Sequence, residues 1–133
     1  MDKPIYEEPD FEVFRNNGLT AADIHIHTVH SDGTSTIKDI VKKAKELDIG
    51  ISITDHNVIS GVKESMKYSD ELLVIPGIEV STAEGPDILL YFYRYKDLKD
   101  FYEKHIKPYK VEYMRRIKCS INKIISNARK YNC

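Results

Sequence analysis

Residues 20–33 read TAADIHIHTVHSDG, and the alternation through residue 28 decides the fold. Ile24 and Ile26 fall on one side of an extended chain, while Asp23, His25 and His27 fall on the other, the period of two that marks a β-strand. Ser31-Asp32-Gly33 then turns the chain. Working forward, Thr36 with Asp39 three positions on has the pattern of a helix N-cap, and Ile37, Ile40, Val41, Ala44 and Leu47 recur at helical spacing. The run IGISIT at 49–54 is short, β-branched and uncharged, as in a strand covered on both faces. A shorter helix is expected over 60–68. A third strand is expected over 72–75 and 78–80, broken at Pro76-Gly77 because proline has no ladder donor, and a fourth over 88–93, ILLYFY. Periodicity further predicts a helix over 97–106 stopped by Pro108. A long amphipathic helix over 109–131 is expected to follow, built on residues such as Met114, Ile117, Ile121 and Ile124. Working backward, 1–18 holds Pro4, Pro9 and Asn16-Asn17-Gly18 and reads as an irregular lead-in whose Phe11, Val13 and Phe14 dock on the body. Strand, helix, strand, helix, strand implies an α/β domain over 19–133, with about four parallel strands joined by crossover helices. Sites in such folds gather at the carboxyl ends of the strands.

The polar residues can be tested against that rule. His25 and His27 are two apart on one strand, so both imidazoles project from the same face and can share one cation. Asp32 lies in the turn beyond that strand, Asp55 and His56 end the second strand, and Glu79 belongs to the group that ends the third, so every group is expected at a strand's carboxyl end. Two imidazoles and Asp23 facing an interior without a cation would be costly to bury. His30 is open to two readings, a ligand or substrate group and a surface residue. Asp55 is either a ligand or the acceptor that orients a ligating imidazole. His105, alone on an amphipathic helix, is set aside as structural. Mixed imidazole and carboxylate donors suit Mn, Fe or Zn rather than the oxygen cages of Mg or Ca. More than four such donors imply more than one divalent ion, the apparatus of phosphoester hydrolysis.

The ordered set Asp23-x-His25-x-His27-Thr28 with Ser31-Asp32-Gly33, then Thr54-Asp55-His56-Asn57, then Pro76-Gly77-Ile78-Glu79-Val80 resembles the first three motifs of the PHP (polymerase and histidinol phosphatase) family, over about residues 20–93. The resemblance implies a distorted (β/α)7 barrel with two or three divalent ions at its carboxyl mouth, of which this chain holds a partial, amino-terminal portion. It further implies that His25 and His27 bind one ion, Asp32 another and His56 a further one, with Glu79 bridging two. Asp32, His56 and Glu79 would then be the catalytic set, with Asp23, His30, Asp55 and Asp87 supporting ligands or touching substrate. The implied activity is hydrolysis of a phosphate ester of a small metabolite or nucleotide. Where the family has a further histidine before the apolar strand, Asp87-Ile88-Leu89-Leu90 stands here, and no histidine follows His105 and no aspartate follows Asp100. Activity is therefore expected to be impaired. The alternative is an inactive remnant serving as a metal-stabilised binding or assembly module.

Composition narrows the setting. The 133 residues carry Lys+Arg 20 against Asp+Glu 21, with 41% apolar and 31% charged residues, as in globular chains. Five acids against Lys3 lie in 1–12, and eight Lys or Arg against Glu112 in 107–133. Those basic residues, interleaved with Tyr109, Tyr113 and Tyr131, read as a nucleic-acid contact or, more simply, as a solvated helix face. Two cysteines give no secreted-type framework, and neither a signal core nor an apolar run of about 20 residues is seen, so a cytoplasmic chain without membrane contact is expected. An unpaired apolar edge over 88–93 would be covered by the 109–131 helix or by a second copy, making a homo-oligomer.

Overall fold

The computed structural model describes Glu8 and residues 10–133; the lead-in expectation for residues 1–7 and 9 lies outside them. Within the lead-in, Phe11–Asn16 forms a short helix, α1, because Asp10 accepts hydrogen bonds from the N–H groups of Glu12 and Val13. This corrects the irregular reading of 11–16, and the expected docking is corrected as well, since Phe11 and Val13 are exposed. Arg15 instead fastens α1, donating to Leu47 O at 2.6 Å and pairing with Asp48 at 2.9 Å.

Strand β1 (Ala22–Ile26) and strand β2 (Gly50–Ile53) pair in parallel, Ala22 against Gly50 and Ile26 against Ile53. Helix α2 (Ile37–Leu47) makes the crossover between them. Its start is fixed as the sequence predicts: Thr36 accepts from Asp39 N–H at 3.2 Å and donates to the Asp39 carboxylate at 2.6 Å. Ile37, Val41 and Ala44 bury against Ile51 and Ile53 of β2, whose four residues are all buried. Replacing Thr36 by Ala should cost about 1 kcal/mol, and Thr36→Ser much less, since only the cap acceptor is lost; urea unfolding of the two variants reads the difference. Equal losses would place the effect elsewhere than the cap.

After helix α3 (Ser60–Ser65) and the tight turn Met66–Tyr68, the chain passes alongside β2. Ile51 bridges Val74 in parallel, the ladder stops at Pro76, and strand β3 (Gly77–Ser81) begins. Strand β4 (Asp87–Tyr91) then pairs antiparallel to β3, Gly77 against Tyr91 and Ser81 against Asp87. The expectation of about four parallel strands is thus corrected. Only five residues, 82–86, join β3 to β4, and a parallel return needs a crossover of a dozen or so. The fold is mixed α/β, with one parallel and one antiparallel two-stranded sheet among the described residues.

Helix α4 (Tyr95–Phe101) runs on through a wider turn, Tyr102–Ile106, and a tight one, Lys107–Tyr109, so Pro108 falls where the helix is already ending. The long helix over 109–131 is also corrected. Residues 110–120 are not helical, and only Ile121–Ala128, helix α5, is. Their backbone bonds go to β3 and its loop instead: Ile117 N–H donates to Ser81 O and Ala83 N–H to Cys119 O, both at 3.0 Å. Burying Ile117 and Cys119 there outweighs the helical pattern. Ser120, whose hydroxyl accepts from Lys123 N–H, restarts the helix. The return covers part of the β4 end, with Phe92 against the Phe101 and Tyr131 rings at 5.4 and 6.2 Å; Tyr93 remains 80% exposed. Among the described residues no helix is long and apolar enough to cross a membrane.

Candidate metal centre

β1 presents His25 and, one residue past its end, His27. The turn that follows folds back tightly, with the N–H groups of Ser31 and Gly33 both donating to Thr28 O at 3.0 Å. A Cβ on Gly33 would collide with the His27 backbone, so glycine alone permits this return, which brings Asp32 beside His27. Past the end of β2, His56 bridges Glu79 of β3 in parallel.

These elements converge on one carboxylate oxygen. Glu79 Oε2 lies 3.3 Å from His25 Nε2, 3.0 Å from His27 Nε2 and 3.4 Å from His56 Nδ1, and Glu79 is only 8% exposed. His25 Nε2 and His27 Nε2 are 3.1 Å apart. Tetrahedral bonds of about 2.0–2.1 Å set ligand atoms roughly 3.3 Å from one another, so this triangle has the dimensions of a coordination shell. Asp32 extends it, 3.2 Å from His27 Nδ1 and 3.4 Å from His56 Nε2. His27 Nδ1 is buried and, although close to Asp32, is not aligned to hydrogen-bond it. Three donor groups result, each compact enough for one ion: His25, His27, Glu79; His27, Asp32, His56; and His56, Glu79, Asp87. The residues present therefore fit a divalent cation.

Electrostatics follows from this crowding. Burial pushes the His56 imidazole below its usual pKa and Arg115 pushes the same way, against the opposing pull of Glu79 and Asp32; neutral His56 keeps a lone pair for a cation. Burial raises Asp32, but His56, His27, a backbone hydrogen bond and Arg115 together hold it below the ordinary carboxylate value.

The remaining candidates are placed around the cluster. Asp55 is fully buried and accepts from Thr28 N–H at 2.7 Å, Thr28 Oγ1 at 2.8 Å and Ser31 Oγ. Expected to bind a cation or orient an imidazole, it instead anchors the turn that carries Asp32. A Cβ on Gly61 would strike the Asp55 carboxylate, so α3 packs there only through glycine. His30 turns away to Glu64 of α3 at 3.2 Å. Asp23 accepts from His25 N–H at 3.2 Å and belongs to none of the three groups.

Four residues escaped the sequence reading. Ser81 Oγ lies 3.2 Å from His56 Nδ1, and its place two residues after Glu79 on β3 was a legible signal. Tyr91 donates to Ile24 O at 2.7 Å, tying β4 to β1 beside Glu79. Asn57, at φ 52°, clips three segments together: its N–H donates to Glu79 O, its Oδ1 accepts from Ser81 N–H, and its Nδ2 donates to Arg115 O at 2.6 Å. Arg115 itself reaches into the cluster, 2.8 Å from Asp87 Oδ2 and 2.6 Å from His56 Nε2. The single basic helical face does not form. Arg115 faces the cluster, Lys123 donates to Tyr109 Oη, and Lys130 to Asn127 Oδ1.

Known proteins resemble this chain in sequence and fold. The chain is 37% identical over 65 residues to the 5'-3' exoribonuclease Rnm of Escherichia coli and to that of Salmonella typhimurium, covering 45% of this chain and 22% of each relative. It is 37% identical over 84 residues to an uncharacterized protein of Methanocaldococcus jannaschii, covering 53% of this chain and 49% of that one. A crystal structure of a protein from Bifidobacterium adolescentis, inferred to be a metal-dependent phosphoesterase, aligns with a TM-score of 0.55 at 29% identity, over 68% of this chain and 33% of that one. The matched stretches span less than half of each of these proteins. Residues 23–131, which carry every donor of the cluster, match the PHP domain, and the chain belongs to the PHP domain family.

Proposed function

We propose that this domain is a metal-dependent phosphoesterase that hydrolyses a phosphate ester of a nucleotide or small metabolite, with Mn, Fe or Zn held chiefly by His25, His27 and Glu79. The convergence of two imidazole nitrogens and one carboxylate oxygen within 3.0–3.3 Å carries this reading. A divalent ion there would supply Lewis acidity toward a phosphoryl oxygen and acidify a water. The protein's own groups do the rest. Asp32 and neutral His56 offer proton acceptors beside the ion's place, Ser81 and Asn57 hold His56 and β3 in register, and Arg115 presents fixed positive charge to the phosphoryl oxygens. The exoribonuclease relatives favour a nucleotide substrate over other phosphate esters. Because Arg115 already engages donors of two of the three groups, turnover by these 133 residues should be weak.

Rates with p-nitrophenyl phosphate and with 5'-nucleotides at saturating Mn test this. Expected is low turnover that a chelator abolishes and Mn restores. Turnover indifferent to the chelator would sink the proposal. The second reading, a metal-stabilised binding module, is favoured by Arg115, which already engages donors of two of the three groups; metal uptake without any turnover would select it.

A further inference from the structure

The three donor groups are not equivalent once Arg115 is considered. Its guanidinium reaches Asp87 Oδ2 at 2.8 Å, His56 Nε2 at 2.6 Å and Asp32 Oδ2 at 3.7 Å. Those are donors of the second and third groups, while its polar contacts include neither His25 nor His27. We infer that the Arg115 guanidinium stands where a second metal ion would bind, so that the centre holds one ion on His25, His27 and Glu79 and one fixed organic cation over Asp32, His56 and Asp87. This rests on the reading of the cluster as a metal centre and specifies its make-up.

Two observations carry the inference beyond simple proximity. The position of Arg115 is set by its backbone: Asn57 Nδ2 grips its carbonyl, and two residues on Ile117 N–H is bonded to Ser81 O, with Ile117 buried. The side chain is therefore delivered to the cluster by the β3 contact, not merely drawn there by charge. The chemistry also suits the place. A guanidinium is always protonated, weakly hydrated and planar, with donors enough to face two carboxylates and an imidazole together. An ion entering that end would have to expel it or bind against its charge. Beside the His25, His27, Glu79 group, the guanidinium would supply the charge-stabilising role of a second cation in phosphoryl transfer.

The test counts ions. Mn²⁺ is titrated into the full chain and free Mn²⁺ is followed by its EPR signal, for wild type, Arg115→Gln and Arg115→Lys, with circular dichroism checking the fold; the Arg115 side chain is 54% exposed, so neither change should unfold the chain. Wild type should bind one ion and Arg115→Gln one more, at least tenfold tighter than any further ion in wild type. Arg115→Lys, which keeps the charge, should retain the wild-type count, and Asp87→Asn added to Arg115→Gln should remove the extra ion. An unchanged count in Arg115→Gln, a full gain in Arg115→Lys, or an extra ion that ignores Asp87→Asn would each overturn the inference. A wild type that binds no Mn²⁺ would defeat the metal centre itself, whereas two tight ions in wild type would defeat only the role of Arg115.

Discussion

Glu79→Gln should weaken Mn²⁺ binding by on the order of 10² or more, a larger loss than removal of a group that merely supports a ligand. The reason is the position of one atom. Oε2 of Glu79 faces three imidazole nitrogens between 3.0 and 3.4 Å and belongs to two of the three donor groups. The amide keeps the volume and the β3 placement but presents either a neutral oxygen or an NH₂ to the same space, so the only negative charge in the His25, His27, Glu79 group disappears. Stability reports the same event. A ligand at a hundred times its Kd stabilises the native state by about 2.7 kcal/mol, so saturating Mn²⁺ should raise the Tm of wild type and leave that of Glu79→Gln nearly unmoved. His25→Ala should also lower affinity, by less, because an exposed imidazole is lost while the charge remains. If Glu79→Gln bound Mn²⁺ as tightly as wild type, Glu79 would have no place in the centre.

Asp55→Ala should destabilise the fold by roughly 3–5 kcal/mol, the largest effect expected away from the donor cluster. Asp55 has no solvent-exposed surface, and its two oxygens accept from Thr28 N–H, Thr28 Oγ1 and Ser31 Oγ. Truncation leaves Thr28 N–H and Thr28 Oγ1 without this acceptor beside a cavity under Gly61, while Ser31 Oγ keeps Asp32 Oδ1 at 3.4 Å. Against a total stability of typically 5–15 kcal/mol, that is a large share. Asp55→Asn separates the causes. Its oxygen can still serve one side of the turn, but its NH₂ cannot accept from the hydroxyl or amide on the other, so about half the loss should return. Urea unfolding of the three proteins reads the series. A loss below about 1 kcal/mol in Asp55→Ala would show that the 28–31 turn is held by other means.

Much of the donor set was legible because it obeys local rules. The period of two in β1 put His25 and His27 on one face, and the end of β2 supplied His56. Thr36 and Asp39 specified where α2 begins, and the uncharged run at β2 specified burial on both faces; each follows from interactions within a few residues. The pairing of β4 departs from the parallel expectation for a local reason, since five residues between Ser81 and Asp87 cannot hold a crossover. The C-terminal helix was misread for a different reason. Ile117 recurs at helical spacing with Ile121 and Ile124, but the chain there gains more by pairing with β3 and burying Ile117 and Cys119 than by continuing a helix.

What the sequence by itself determined, then, is the α/β beginning of the fold and which imidazoles and carboxylates β1, β2 and β3 bring near one another, because strand period, capping and turn chemistry act over short distances along the chain. Tertiary structure alone decided that Asp55 holds a turn, that His30 belongs to Glu64, that Asn57 clips β2, β3 and the 115–119 segment together, and that Arg115 enters the cluster. Each of these depends on a contact between residues from 24 to 59 positions apart, and no periodicity records which distant segment a side chain will meet.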